Sequence, residues 1–332
     1  MKIFITGVAG FLGSHLADRM IELGHTVVGN DNLLGGYLEN LNPKVDFHQI
    51  DCCDIDGMVA IMKDVDVVIH TAATAHEGLS VFSPNFITKN IFQASVSTIS
   101  AAVQNKVKRF VYCSSMARYG NQQTPFTEDM QPRPVDPYGI AKVAGEEVLK
   151  VLSETHGMEW NIAIPHNIVG PRQRYDDPYR NVMSIMINRN LQGKPAIVYG
   201  TGEQVRCFSY IDDCIYCLEK LALGSITAEI INIGPDEGEI TINTLVKLIS
   251  KECNFIQDPI YFSERPQEVQ NAICSSNKAR HLLDYKTTVP IEQAIRETVH
   301  WIRSKGTKDF DYSFPLEIIN SKTPKTWKDR LM

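Results

Sequence analysis

Through residue 164 the chain alternates short apolar runs with amphipathic stretches. Lys2–Thr6 is apolar and β-prone, and the pattern over Ser14–Leu23 predicts a helix. Apolar runs at Thr26–Asn30 and Val45–Ile50 predict two more strands, and Asp54–Met62 reads as a helix with an Asp N-cap. Val65–His70 is nearly all apolar, the pattern of a strand covered on both faces. A long helix is predicted over Pro84–Gln104, a strand over Arg109–Ser114, a helix opening near Tyr138 and a strand over Trp160–Ile164. Strands and helices alternating in this way predict a parallel sheet with right-handed crossovers. After residue 165 the pattern breaks. A turn-rich segment precedes a helix predicted over Pro178–Gln192; short strands are expected at Ala196–Tyr199, Ile230–Ile233 and Ile260–Phe262. Helices are expected at Ile242–Glu252, Asn277–Leu283 and Ile291–Ser304. Phe310–Met332 reads as irregular, and no role is assigned to it. The expected architecture is α/β, with a doubly wound parallel sheet over residues 1–165 and a smaller, mixed α/β region over 166–332. Segments of the second region are able to return to the first.

Bulk properties narrow the partners. With 332 residues, 43% of them hydrophobic, the chain can bury a sizeable core. A net charge of −6 gives no electrostatic case for nucleic acid or an anionic membrane. No apolar run approaches the roughly 20 residues of a membrane span, and Met1–Ile5 runs straight into a strand. The expectation is a soluble cytoplasmic protein. The eight cysteines are scattered; Cys214 and Cys217 have CxxC spacing but fall on a predicted helix with no second ligand pair nearby. They read as buried free thiols, and no metal site is expected.

The candidate chemistry lies at strand ends. Gly7, Gly10 and Gly13, with Phe11 and Leu12 between them, form a glycine-rich turn joining the first strand to the first helix. Such a turn lets a pyrophosphate approach a helix N-terminus, where unpaired N–H groups point outward. The spacing is GxxGxxG, weak evidence alone. Asp31, at the end of the second strand, is placed to accept from adenosine ribose hydroxyls and to repel a 2′-phosphate, favouring NAD over NADP. Asp51 and Cys52 end the third strand, beside an adenine edge. Thr71, Ala72 and Ala73 end the fourth and leave room for a cofactor, and Ser114 and Ser115 end the fifth. Tyr138 and Lys142 are four residues apart, on one face of a helix that Asp136 and Pro137 start. A phenol loses its proton near pH 10. A neighbouring ammonium and a helix N-terminus both favour the phenolate, which would make Tyr138 a base near neutral pH. Read alone, the pair also fits an ordinary amphipathic surface helix.

Taken together with Asn90, Tyr119-Gly120, Asn167 before Gly170-Pro171, Arg206 and Arg265-Pro266, these motifs resemble the extended short-chain dehydrogenase/reductase family. The resemblance is specifically to its NAD-dependent nucleotide-sugar epimerases, typified by UDP-glucose 4-epimerase, and covers residues 1 to about 304. It implies a Rossmann-like sheet and NAD as cofactor. Tyr138 becomes the acid/base, Lys142 its pKa-lowering partner and Ser115 the hydroxyl that holds the reacting group. The implied cofactor set adds Asn32, Asn90, Ser114, Tyr138, Lys142 and Pro165 to the glycine turn and strand ends, with Lys142 also bonding the nicotinamide ribose. Tyr138, Ser115, Asn167, Arg206 and Arg265 would contact substrate, with the two arginines clamping a diphosphate. Relatives that dehydrate sugars commonly carry Asp-Glu after the catalytic hydroxyl. Met116-Ala117 stand there instead, which argues against dehydration; decarboxylating relatives place a glutamate in this same loop, which this chain lacks. Ile164 replaces a common Arg, and Gln93 a common Gly. The implied reaction is 4-epimerisation of a nucleotide sugar, UDP favoured, through a transient 4-keto intermediate. A net nucleotide-sugar oxidoreductase, a C2, C3 or C5 epimerase, and a non-catalytic dinucleotide sensor are the rivals. Family relatives pair through two long helices, so a homodimer is implied.

Overall fold

The computed structural model describes all 332 residues. Seven strands form one sheet: β1 (Lys2–Thr6), β2 (Thr26–Asn30), β3 (Asp46–His48), β4 (Val67–His70), β5 (Arg109–Cys113), β6 (Glu159–Pro165) and β7 (Glu229–Ile233). Their order is β7-β6-β5-β4-β1-β2-β3, and every adjacent pair is parallel. The chain winds outward from β1 to β3, then crosses back to β4. The order therefore reverses between β1 and β4, and their carboxyl ends leave the crevice in which doubly wound proteins hold ligands. β4 and β5 are buried along their whole length. One face of the sheet is covered by helices Phe11–Glu22 and Ile211–Leu223, the other by Ile55–Ile61, Ala94–Gln104 and Pro137–His156. No helix is long and apolar enough to cross a membrane.

The second half of the chain returns to the sheet through β7, which pairs with β6 in the register Ile230 to Ile162. Its remaining strands are short. Ser209–Tyr210 pairs with Ile168–Val169; Val205–Arg206 lies between Ile240–Thr241 and Asn271–Ala272; Ile260–Phe262 pairs with Ile197–Tyr199. Two helices depart from the sequence expectation. The one expected over 84–104 is continuous but contains a π-helical turn, Lys89–Gln93, which includes Asn90. The one expected from Pro178 starts at Val182, because the Asn181 side chain caps it by accepting from Met183 N–H. Cys214 and Cys217 are buried free thiols.

The segment 306–332, irregular over Phe310–Met332 as expected apart from one helical turn at Lys325–Lys328, has a structural role that its composition concealed. It forms a strap across the molecule. The Glu317 carboxylate accepts from Asn85 and Phe86 N–H at 3.0 and 2.7 Å, and Ser83 Oγ donates to the Pro315 carbonyl. Phe314 and Trp327 are buried against Leu79, Phe82, Ile87 and Tyr179.

Candidate active site

The glycine turn closes directly onto the end of β4. Gly7 has φ +66°, and a Cβ there would lie 2.9 Å from Ala72 Cα; a Cβ on Gly13 would lie 2.2 Å from the Gly7 carbonyl oxygen. Only glycine fits either position. Gly10 is the N-cap of Phe11–Glu22 and offers no side-chain cap, so the helix opens toward the cleft with first-turn N–H groups unclaimed by a side chain. Thr6 ties the two strand ends together: its hydroxyl oxygen accepts from Thr71 and Ala72 N–H at 3.0 and 3.1 Å and lies 2.9 Å from His70 Nδ1. Burial pushes His70 down to about 3. It is therefore neutral, and its Nε2 faces Ser95 Oγ at 3.1 Å.

The acidic strand ends are fixed by backbone donors and, at Asp51, by one side-chain amide. Asp31, 6% exposed, accepts from Ala9 N–H at 3.0 Å and Leu33 N–H at 2.7 Å. Burial raises its pKa despite these bonds. Asp51 accepts from Asn32 Nδ2 at 2.9 Å and Cys53 N–H at 2.8 Å. Burial pushes its pKa up, but these donors outweigh it and the carboxyl stays below its ordinary value. Cys52 is buried and accepts from Asn30 Nδ2 at 3.3 Å.

The Tyr138 helix begins as its sequence dictates. Asp136 is the N-cap, accepting from Gly139 N–H at 2.8 Å, and Pro137 occupies the first turn. Tyr138 and Lys142 are 4% and 2% exposed and face the same cleft. Their electrostatics differ from the simple expectation. Burial, then the Glu77 carboxylate, push the Tyr138 phenol up; Ser115 and Arg180 pull it down. Lys142 donates to the Cys113 carbonyl at 2.7 Å, and burial lowers it to about 8. In this state the ammonium serves the end of β5, and desolvation keeps the phenol protonated. Ser115 Oγ accepts from Ala117 N–H at 3.2 Å. Ser114 donates to Glu146, which pairs with Arg118 at 3.0 Å in a fully buried bridge that anchors this strand end. Asn90 donates to Phe86 O at 2.8 Å from the π turn.

Across the cleft, Asn167 has φ +45° and donates to the Cys207 carbonyl at 2.9 Å. Arg206 is held by the carbonyls of Val205, Val269 and Gln270 at 2.7–3.0 Å. Arg265 forks onto both oxygens of Glu268 at 2.9 Å and stacks 4.7 Å from the Tyr199 ring centre. Every residue that the sequence assigns to catalysis, cofactor or substrate, including Pro165, lines this one cleft. Ile164 is buried beneath it and does not reach it. The cleft also holds residues that the sequence reading passed over: His76, Glu77, Asp177, Arg180 and, from the strap, Phe314 and Met332. His76 and Asp177 form a buried pair at 2.6 Å, and Phe314 meets the His76 ring edge-on at 5.2 Å. One signal for this group was available. Thr74–Gly78 continues the Thr71–Ala73 segment that leaves β4, on the ligand-binding edge of the sheet.

A reversed strand order, a glycine turn pressed on the neighbouring strand end, and a buried Tyr–Lys pair facing one cleft define an extended short-chain dehydrogenase/reductase. The chain belongs to the NAD dependent epimerase/dehydratase family, whose model matches residues 3–234. It is similar to the UDP-glucose 4-epimerase of Thermotoga maritima, solved with UDP-glucose, at 32% identity and TM-score 0.86, covering 92% of this chain and 99% of that one. The UDP-N-acetylglucosamine 4-epimerase of Methanobrevibacter ruminantium M1, in complex with UDP-N-acetylmuramic acid, has 31% identity and TM-score 0.84, with coverage of 92% and 99%. A UDP-N-acetyl-alpha-D-glucosaminuronate decarboxylase of Bacillus cytotoxicus is 32% identical over 324 residues, 91% of this chain and 98% of that protein. The matches span 98–99% of these relatives and 91–92% of this chain.

Proposed function

We propose that this protein is an NAD-dependent epimerase acting at C4 of a UDP-sugar: a UDP-hexose, UDP-N-acetylhexosamine or UDP-uronic acid. The observation that carries this reading is the shared cleft, with Tyr138, Lys142 and Ser115 on one wall and Asn167, Arg206 and Arg265 on the other. The glycine turn, Asp31, Asn32, Asp51, Cys52, Thr71–Ala73, Asn90, Ser114 and Pro165 would hold the cofactor, and the Cβ-free cradle at Gly7 and Gly13 fits a close-lying pyrophosphate. When bound, NAD supplies the hydride acceptor and, in its oxidised form, a positive charge that favours the phenolate. Tyr138 takes the C4 hydroxyl proton and later returns it. Ser115 orients that hydroxyl by hydrogen bonding. Lys142, which burial lowers to about 8, supplies positive charge on the same wall as the phenol. Arg206 and Arg265 tether the diphosphate while the 4-keto sugar turns over, and Asn167 contacts the phosphate or sugar. Met116 and Ala117, next to Ser115, offer no acid or base for dehydration.

In this reading residues 1–165 form the NAD-binding domain, and 166–332 are mainly substrate-binding with β7 lent to the sheet. A cytoplasmic homodimer paired through helices 84–104 and 137–156 completes the proposal. Ile140 and Val151, apolar and 55% and 60% exposed on the second helix, support that face. Sedimentation as a monomer at micromolar concentration would remove the dimer.

Proton NMR with a panel of UDP-sugars in D₂O tests the activity. A C4 epimer without deuterium at C4 is the expected result. Deuterium at C3 or C5, or a stoichiometric absorbance change at 340 nm, would replace it with enolisation or net redox chemistry. Loss of sugar carbon would indicate decarboxylation.

A further inference from the structure

Glu77 is a carboxylate in the cleft without a partner of its own. It opens the short helix Glu77–Ser80, just past the end of β4. Water reaches its side chain, yet protein surrounds it closely enough that burial raises its pKa above the ordinary value. Ser80 Oγ donates to the Glu77 main-chain carbonyl at 2.6 Å, not to the carboxylate. Its neighbours, by contrast, are clamped. His76 is locked to Asp177, and a Cβ on Gly78 would sit 3.3 Å from Trp327 Cη2 and 3.7 Å from Arg265 Nη1. The strap and Arg265 thus fix the backbone on either side of a carboxylate that they leave free.

Its charge reaches groups on two sides. Arg206, Arg180 and Arg265 stabilise the carboxylate, in that order, and Glu268 opposes it. On its other side, Glu77 acts on the Tyr138 phenol and on Asp136. The geometry agrees: Gly78 borders Arg265, and Ser80 Oγ of the same short helix faces Asp136, the cap of the Tyr138 helix, at 3.5 Å, so the turn that Glu77 opens runs between Arg265 and the start of the tyrosine helix. A hexose tethered by its C1 diphosphate to those arginines, with C4 at Tyr138, spans the same interval.

We propose that Glu77 sets the charge selectivity of this site, accepting hydrogen bonds from the hydroxyl or amide N–H groups of a neutral UDP-sugar and excluding UDP-uronic acids. The inference rests on the reading of the cleft as a UDP-sugar 4-epimerase site. Charge balance supports it. Three guanidiniums, Arg180, Arg206 and Arg265, face two carboxylates, Glu77 and Glu268. A diphosphate brings two negative charges, so no net positive charge remains for a sugar carboxylate. Such a group would be held close to Glu77 within the cleft, and like charges brought together there are disfavoured. A neutral hexose instead gives Glu77 the donors it lacks. The substrate class is accordingly UDP-hexose or UDP-N-acetylhexosamine.

Calorimetric titration of the NAD-loaded enzyme with UDP-glucose and with UDP-glucuronate tests this independently of turnover. The wild type should bind the glucuronate at least tenfold more weakly. Glu77→Gln should narrow that gap to threefold or less, mainly by improving glucuronate binding, whereas Glu77→Asp, which keeps the charge, should preserve it. Equal or tighter binding of glucuronate by the wild type overturns the inference, as does an unchanged gap in Glu77→Gln. Glu77→Ala serves if the Gln variant does not fold, and the wild-type ratio stands without any variant. NMR turnover assays run in parallel separate the two readings. A tenfold binding gap with no epimerisation leaves Glu77 selective but breaks the epimerase reading. Epimerisation of the glucuronate as efficiently as of the glucose keeps the epimerase and removes the selectivity. Binding of neither sugar nucleotide overturns both.

Discussion

The two walls of the cleft are built by different means. The cofactor side is made of backbone. Gly7 and Gly13 are there because a Cβ would strike Ala72 or the Gly7 carbonyl, and Thr6, Asp31 and Asp51 are satisfied by main-chain donors at strand ends. The substrate side is made of side chains gathered from far apart in the sequence: Glu77, Asn167, Arg180, Arg206, Arg265 and the strap. A backbone-built wall demands particular residues at particular spacings. A wall built from side chains demands only that the right charges arrive, which leaves room for specificity to change without disturbing the cofactor.

Substitutions can break this contrast. The largest effect should come from Tyr138→Phe, which removes the proton acceptor while leaving the glycine cradle intact. Turnover should fall about 10²–10⁴-fold with NAD content unchanged, read by single-turnover assay and by absorbance after denaturation. Next is Trp327→Ala on the strap, where loss of a buried indole should cost about 3–5 kcal/mol. Urea denaturation should report it together with weakened UDP-sugar binding; a normal KM would mean that the strap does not shape the substrate wall. Gly13→Ala attacks the opposite wall and should cost about 1–3 kcal/mol through overpacking, with NAD released on gel filtration. Retention of NAD by that variant would show that the turn tolerates a side chain. The smallest effect expected is that of Asp136→Ala, which removes the helix cap beneath Tyr138 at about 1 kcal/mol. A melting-temperature shift of a few degrees, with unchanged binding, checks it.

The same contrast explains what could be read from the chain. The glycine turn, the strand-end acids and the Asp136-Pro137-Tyr138 helix start are local statements, and each was legible. β7 was recognised as a strand, but its place beside β6 depends on a contact nearly seventy residues away in sequence, so its sheet was left open. Tyr138 was expected to be held ready for ionisation by Lys142. Burial, which no local motif reveals, dominates both groups and directs the lysine to Cys113. Glu77 and His76 lie in a stretch without a pattern, and their meaning comes from Asp177, Arg180 and Trp327, which only the tertiary fold brings close. The strap lacked periodicity because it packs through single aromatic residues rather than along one face.

The strap also has a consequence for the order in which the molecule assembles. Ser83 meets Pro315, and Asn85 meets Glu317, across 232 residues of chain. Contacts so remote close large loops and form only after the elements between them have been placed. The glycine turn, by contrast, needs only β1, the helix Phe11–Glu22 and the end of β4, all within the first 72 residues. A folding chain therefore has a place for the dinucleotide before it has one for the sugar, and on partial unfolding it should lose them in the reverse order.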